Sequence, residues 1–245
     1  MEIGTQTGAD VRLEWGGEGV GILGRECAVL IVVDVLSFST TTDLVVSRGG
    51  RVLPVRWRDD RGIAEARGAG AVVAGEEAWT LRPSSVTEIP SGTLLALPSP
   101  NGATLCAAAA KTGAHVLAGC LRNASAAAAK AEEIAARRPI GVIPAGERWG
   151  IDIFGDGTES GPLRPCVEDQ LGAGAIVSAL TGSRSAEAAL AAAAYAATDV
   201  PAALRTCTSG RELAAAGHGN DVILAAQQDV SDSVARLSHG ILEGQ

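Results

Sequence analysis

The stretch CAVLIVVDVLSFSTTT, residues 27–42, decides the fold. Its first seven residues are all apolar and rich in β-branched side chains, which is typical of a strand that is buried on both faces of a parallel sheet. Asp34 follows directly, and a hydroxyl-rich segment then enters a helical region. The stretch therefore predicts a strand, a polar loop and a helix, which is the repeating unit of an α/β domain.

The same alternation continues through the first 150 residues. Helices are predicted to start at the capping residues Asp59 or Asp60, Asn101 and Asn123. We expect an α/β fold with a mostly parallel sheet and helices on both faces. The predicted strands are residues 27–35, 51–55, 71–74, 93–97, 114–118 and 140–143.

The last third of the chain has a helical pattern instead, with a turn near Pro201. Ser209 and Glu212 have the spacing of a capping box. We expect one α/β domain over residues 1–245, in which residues 167–245 either flank the sheet or form a helical sub-lobe. The helices predicted here are residues 167–180, 186–197, 209–216 and 221–228.

Composition and charge exclude several classes of protein. The 245 residues carry a net charge of −8, which argues against a nucleic-acid partner. No apolar run approaches the ~20 residues of a membrane span, and no signal peptide is expected in the first 15 residues. Five widely spaced cysteines fit free thiols in a reducing cytoplasm. The oligomeric state is left open, with a homodimer as one option.

Polar side chains follow almost every predicted strand, where ligands bind in open α/β sheets. Each group alone also has an ordinary explanation as a helix cap, a solvated acid or a surface ion pair. Together they predict a site for a small anion with a divalent metal. The groups are Asp34 with Ser37, Ser39, Thr40 and Thr41, Glu76 beside Glu77, Asn101 with Gly102, Arg122 with Asn123, Glu147 with Arg148, and Glu168 with Asp169.

The motifs of other enzyme classes are missing from the sequence. It contains no phosphate loop of the GxxxxGK[ST] type, no dinucleotide fingerprint, no GxSxG elbow and no HExxH pair. A nucleotide-binding module is therefore disfavoured.

The polar groups that follow the predicted strands, taken in their order along the chain, resemble the motifs of the 2-phosphosulfolactate phosphatase family. The family's first motif has an arginine where this chain has Ser37 and an alanine where it has Phe38, and Ala103 replaces a threonine. The resembling segments are residues 34–42, 74–76, 99–102, 119–123, 145–146, 168–174 and 210–222.

The resemblance implies a Mg²⁺-dependent phosphatase that converts 2-phospho-3-sulfolactate to sulfolactate in coenzyme M biosynthesis. We expect Asp34, Glu76 and Asp169 to hold Mg²⁺. Glu168 would orient water or protonate the leaving oxygen, with Asp34 and Asp169 also in the catalytic set. The expected substrate-binding residues are Ser37, Ser39, Thr40, Thr41, Asn101, Gly102, Arg122, Asn123 and Arg148.

Two other functions stay open at this point. One is a phosphatase for a different phosphorylated hydroxy acid. The other is a non-catalytic protein of the same fold that binds a small anion. Phosphate release in the presence of Mg²⁺ separates the second from the first.

Overall fold

The computed structural model describes residues 3–56, 59–76, 78–149 and 161–245, and a nine-stranded sheet forms its centre. The strands are β1 (Val11–Leu13), β2 (Val29–Val33), β3 (Arg51–Val55), β4 (Val72–Val73), β5 (Leu94–Pro98), β6 (His115–Gly119), β7 (Ile140–Pro144), β8 (Glu147–Arg148), β9 (Leu163–Arg164), β10 (Ala235–Ser238) and β11 (Ile241–Gly244). The helices are α1 (Gly16–Leu23), α2 (Phe38–Val46), α3 (Asp60–Gly68), α4 (Gly102–Ala109), α5 (Ala124–Ala135), α6 (Val167–Ala179), α7 (Ala186–Ala196), α8 (Val200–Thr206), α9 (Thr208–Ala215) and α10 (Gly219–Ala225).

The sheet has the order β1-β7-β2-β6-β10-β11-β3-β5-β4 and is mostly parallel, as predicted. Its first four strands are parallel to one another, and β3, β5 and β4 form a second parallel group. The hairpin β10–β11 lies between the groups and pairs antiparallel with both. The two groups therefore run in opposite directions.

Helices cover both faces of this sheet, and β2 is therefore buried on both sides. Val29, Ile31 and Val33 face one core with α5, α6 and α7. Leu30 and Val32 face the other core with α1, α2 and α4. The uninterrupted apolar run predicted a strand that is covered on both faces, and this prediction is confirmed. Helix α6 shares the first core with β2, so this part of the predicted sub-lobe packs directly on the sheet.

Two expectations for the last third of the chain were wrong, and one pair of strands was missed. The sequence pattern did not predict the β10–β11 hairpin at all. Residues around Pro201 form α8, where Asp199 caps the helix and the proline occupies its first turn. Helix α9 is capped by the side chain of Cys207 rather than by Ser209, whose buried hydroxyl has no hydrogen-bond partner among the described residues.

All five cysteines are free and buried, in agreement with the expectation from their number and spacing. Within the described residues, no helix combines the length and the apolar character that crossing a bilayer requires.

Close packing of α6 against α7 gives a test of the fold. A Cβ at Gly174 would lie 2.2 Å from the carbonyl oxygen of Ala191. Because backbone must move to make room, Gly174→Ala should lower the free energy of unfolding by about 1–3 kcal/mol or more. Urea denaturation measures this change.

The matched control is Gly21→Ala in α1. Nothing lies within 4 Å of a Cβ at this exposed helical position. The added methyl should raise the free energy of unfolding by about 0.5–1 kcal/mol, because alanine loses less backbone entropy than glycine. Equal effects of the two substitutions would contradict the α6–α7 packing.

Candidate active site

Asp34 lies at the end of β2 and is bound by the first residues of two helices. Its Oδ1 accepts a hydrogen bond from the Phe38 amide of α2 (3.2 Å), and its Oδ2 accepts one from the Gly102 amide of α4 (2.8 Å). The Ser99 hydroxyl donates to the same Oδ2 at 3.3 Å. The sequence analysis predicted that these two helix N-termini bind a phosphate. In the structure they bind a carboxylate of the chain itself.

The hydroxyl groups of α2 point back into the protein. Ser39 Oγ accepts from the Asp34 amide (3.0 Å), Thr40 Oγ1 donates to the Val35 carbonyl (2.7 Å), and Thr41 Oγ1 donates to the Leu81 carbonyl (2.6 Å). These three side chains are fully buried. Ser37 is half-buried at the cap position of α2 and makes no capping bond with its side chain. Of the predicted hydroxyls, Ser37 is therefore the best placed to meet a substrate.

Asp169, in the first turn of α6, connects two loops. Its Oδ1 accepts from the Val35 amide (2.7 Å) after β2, and its Oδ2 accepts from the Gly146 amide (2.8 Å) after β7. Both oxygens are thus used to hold the loops that end neighbouring strands. This contact fixes the position of the loop that carries Glu147.

Four carboxylates meet at this edge of the sheet, and we call Asp34, Glu147, Glu168 and Asp169 the acidic cluster. Burial raises the pKa of Asp34, and the charge of Glu168 adds to this rise. The hydrogen bonds from Gly102, Phe38 and Ser99 oppose it. Burial followed by repulsion from Asp34 and Glu168 raises the pKa of Asp169 well above its usual range. Burial and then Asp34 raise the pKa of Glu147 to about 7. The hydrogen bonds that link these acids to the loops after β2, β5 and β7 bring residues far apart in sequence to one place, and the pKa directions agree with this geometry.

Glu147 is the member of the acidic cluster that the sequence analysis noticed but did not select. Its Oε2 accepts a hydrogen bond from Asn101 Nδ2 at 2.9 Å. Asn101 therefore orients an acid of the site, as Gly102 does for Asp34. The signal in the sequence was the polar group after β7, from which Arg148 was chosen instead.

Arg122 and Asn123 have structural partners away from the acidic cluster. Arg122 forms a buried ion pair with Asp43 of α2 (2.8 Å) and a further hydrogen bond to Gln227. Asn123 caps a 3₁₀ turn (Leu121–Asn123) by accepting from the Cys120 amide at 2.9 Å and donates to the Ser233 carbonyl. Their predicted contacts with substrate receive no support from this geometry.

The predicted metal ligands are not all brought together. Glu76 forms an exposed ion pair with Arg67 (2.9 Å), and its neighbour Glu77 lies outside the described residues. In the part of the chain that the structure describes, no three Asp, Glu, His or Cys side chains are arranged to hold one metal ion. Asp34, Glu76 and Asp169 therefore do not form a single ready-made ligand set, and the role of each as a ligand stays a prediction.

The comparison with known families identifies the family of the chain. The sequence model of the 2-phosphosulpholactate phosphatase family matches residues 23–240, nearly the whole chain. The protein belongs to this family. Membership indicates a phosphatase that acts on a small phosphorylated substrate, as the resemblance of the motifs predicted.

The ion pair of Arg122 separates a structural role from a substrate-binding one. Arg122→Met leaves the Asp43 carboxylate buried without its partner, so the free energy of unfolding should fall by about 3–5 kcal/mol. Replacing both residues, as Arg122→Met with Asp43→Leu, should recover much of that loss. A single variant with wild-type stability and lost activity would instead support the substrate-binding prediction.

The acidic cluster predicts a pH dependence of stability. The folded state holds the Glu147 proton more tightly than the unfolded state, because the pKa of about 7 exceeds the ordinary 4.5. The free energy of unfolding therefore falls as the pH rises from about 4.5 to about 7, and the penalty is fully present above pH 7. With a chelator present, Glu147→Gln should stabilise the protein by about 1–3 kcal/mol at pH 8 and hardly at pH 4.5.

The control for this pH dependence is the exposed Glu212 of α9, replaced in the same way. Glu212→Gln should change the melting temperature equally at both pH values. A pH-independent effect of Glu147→Gln would show that Glu147 is not under repulsion in the folded state.

Proposed function

We propose that the protein is a Mg²⁺-dependent phosphatase for a small phosphorylated hydroxy acid, with 2-phospho-3-sulfolactate as the first candidate substrate. The observation that carries this proposal is the acidic cluster, which gathers carboxylates from the loops after β2 and β7 and from the start of α6. In a member of a phosphatase family, such a cluster is suited to bind a cation together with a phosphate.

The donor set fits Mg²⁺. Its groups are carboxylate oxygens whose pKa values are raised by burial first and by the neighbouring carboxylates second, and a cation among them would offset both effects. Mg²⁺ is commonly bound by one or two carboxylates, with water and phosphate oxygens in the remaining positions, so three preformed protein ligands are not required. Asp34 is the proposed ligand, with Glu147 as the second because it adjoins Asp34.

The bound ion would neutralise phosphate charge and polarise the phosphorus–oxygen bonds. The chain supplies the other functions. Glu168, which is buried and electrostatically linked to Asp34, would orient the attacking water or give a proton to the leaving oxygen as its bond to phosphorus breaks. Ser37 would contact the phosphate, and Asn101 binds Glu147.

One observation favours the alternative substrate, a different phosphorylated hydroxy acid. Ser37 stands where the family's first motif has an arginine. The loop after β2 therefore lacks a guanidinium for the second acidic group, so the group recognised there need not be a sulfonate.

Phosphate release tests the reaction directly. The purified protein should release phosphate from 2-phosphosulfolactate, 2-phospholactate or phosphoglycolate when Mg²⁺ is added, and release none with a chelator. Mg²⁺ alone should raise the melting temperature, because it binds the folded state. An absence of both effects would refute the proposed function, and turnover that resists chelation would refute the metal dependence.

Asp34→Asn tests the proposed ligand. The variant should lose turnover by at least about 100-fold, because the amide carries no charge for the ion. It should also lose the thermal shift that Mg²⁺ produces. The control is Asp10→Asn, which changes an exposed aspartate that accepts a hydrogen bond from Ser183 and is not part of the acidic cluster. Unchanged turnover in Asp34→Asn would remove Asp34 from the site.

A further inference from the structure

The two-stranded ribbon β8–β9 places two charged side chains on one face, and one of them belongs to the acidic cluster. Glu147 is paired directly with Arg164 across the ribbon, and Arg148 is paired with Leu163. Directly paired residues lie on the same face, and neighbours along a strand lie on opposite faces. Arg164 therefore shares the face of Glu147, whereas Arg148 lies on the face of Leu163, which packs toward Gly16 of α1.

The guanidinium of Arg164 is held in place without being neutralised. It lies over the ring of Trp149, 5.6 Å from the ring centre. Among the described residues, no carboxylate oxygen lies within salt-bridge distance of it. Its charge opposes part of the rise in pKa that burial and Asp34 cause at Glu147 and that burial and Glu168 cause at Cys166, so it acts on the acidic cluster at a distance. An arginine with this placement has its donors available for a ligand.

The other two arginines considered for the site either form an ion pair elsewhere or lie on the other face of the ribbon. Arg122 is paired with Asp43 in the interior, and Arg148 lies on the opposite face of the ribbon. Position 37, where the family's first motif has an arginine, carries the hydroxyl of Ser37 in this chain. A planar guanidinium that faces a site for phosphorylated acids is suited to a carboxylate or sulfonate, because it can donate two parallel hydrogen bonds.

We propose that Arg164, oriented by Trp149, binds the second anionic group of the substrate. It thereby selects phosphorylated acids over the phosphate esters of uncharged alcohols. This inference rests on the proposed function for the position of the phosphate. Arg164 is a binding residue in this scheme, and Trp149 is a positioning residue that acts through it.

Binding of the product acid tests the proposal without turnover. Sulfolactate and lactate are titrated into the wild type and into Arg164→Gln by calorimetry, with Mg²⁺ present. The variant should bind the preferred acid roughly 10- to 100-fold more weakly, because it loses charge-assisted hydrogen bonds. The exposed Arg211 of α9 provides the matched control, and Arg211→Gln should bind as the wild type does.

Arg148→Gln distinguishes the two arginines of the ribbon. If it weakens binding and Arg164→Gln does not, or if the wild type binds neither acid, the proposal is overturned. Weakened binding in Arg164→Gln supports it even when no ester is hydrolysed, a result that would refute only the proposed phosphatase reaction.

Kinetics supply a second readout where turnover is found. Arg164→Gln should lower kcat/KM for the acidic ester roughly 10- to 100-fold and leave that for glycerol 2-phosphate, which lacks a second anionic group, within about twofold. Equal losses for both esters would show a general rather than a selective role and would overturn the proposal.

The role of Trp149 is tested by two replacements. Trp149→Leu removes the ring face and should weaken binding of the acid roughly two- to fivefold, whereas Trp149→Phe should retain most of the affinity. A melting temperature close to that of the wild type is expected for both, because Trp149 is 60% exposed. Equal binding by the two variants would remove the ring from the scheme.

Discussion

The structure of the site depends on one carboxylate, that of Asp34, which joins the first residues of α2 and α4. These helices follow β2 and β5, which belong to strand groups that run in opposite directions. In a flat sheet, the carboxyl ends of such strands would lie at opposite edges. The contact between Asp34 and Gly102 brings them together, so the sheet must twist and coil strongly across the β10–β11 hairpin. The favourable ends of two helix dipoles offset part of the cost of burying the charge.

The acidic cluster is costly for the folded state, and this cost is informative about function. Three of its members have raised pKa values, so burial and mutual repulsion exceed the hydrogen bonds that stabilise the charged forms. Structural requirements alone favour apolar side chains at such positions. A bound cation relieves the repulsion and offers a reason for the arrangement. Phosphate monoesters also need very large rate enhancements, which no single donor supplies, and several converging groups with a cation do.

The sequence predicted the sheet and the position of several acidic residues at strand ends well, and their detailed contacts less well. Long apolar runs such as the one in β2 depend on burial alone, which a sequence pattern records directly. The partner of a polar side chain depends on tertiary packing, which it does not record. Gly102 and the threonines of α2 were therefore expected to face a ligand, and they bond within the protein. Arg122 was expected to bind an anion for the same reason, although that anion is Asp43.

Glu147 and Arg164 show why the remaining site residues were harder to find. They belong to a ribbon of only two residues per strand, which is too short to show an alternating pattern. Their shared face follows from register, and register is set by the pairing of segments that are 17 positions apart. A hydroxyl replaces the arginine of the first family motif at position 37, and the guanidinium beside the acidic cluster comes from this ribbon instead. In the proposed scheme, positive charge at the substrate site would therefore come from β9 and from a bound cation, rather than from the loop that supplies Asp34.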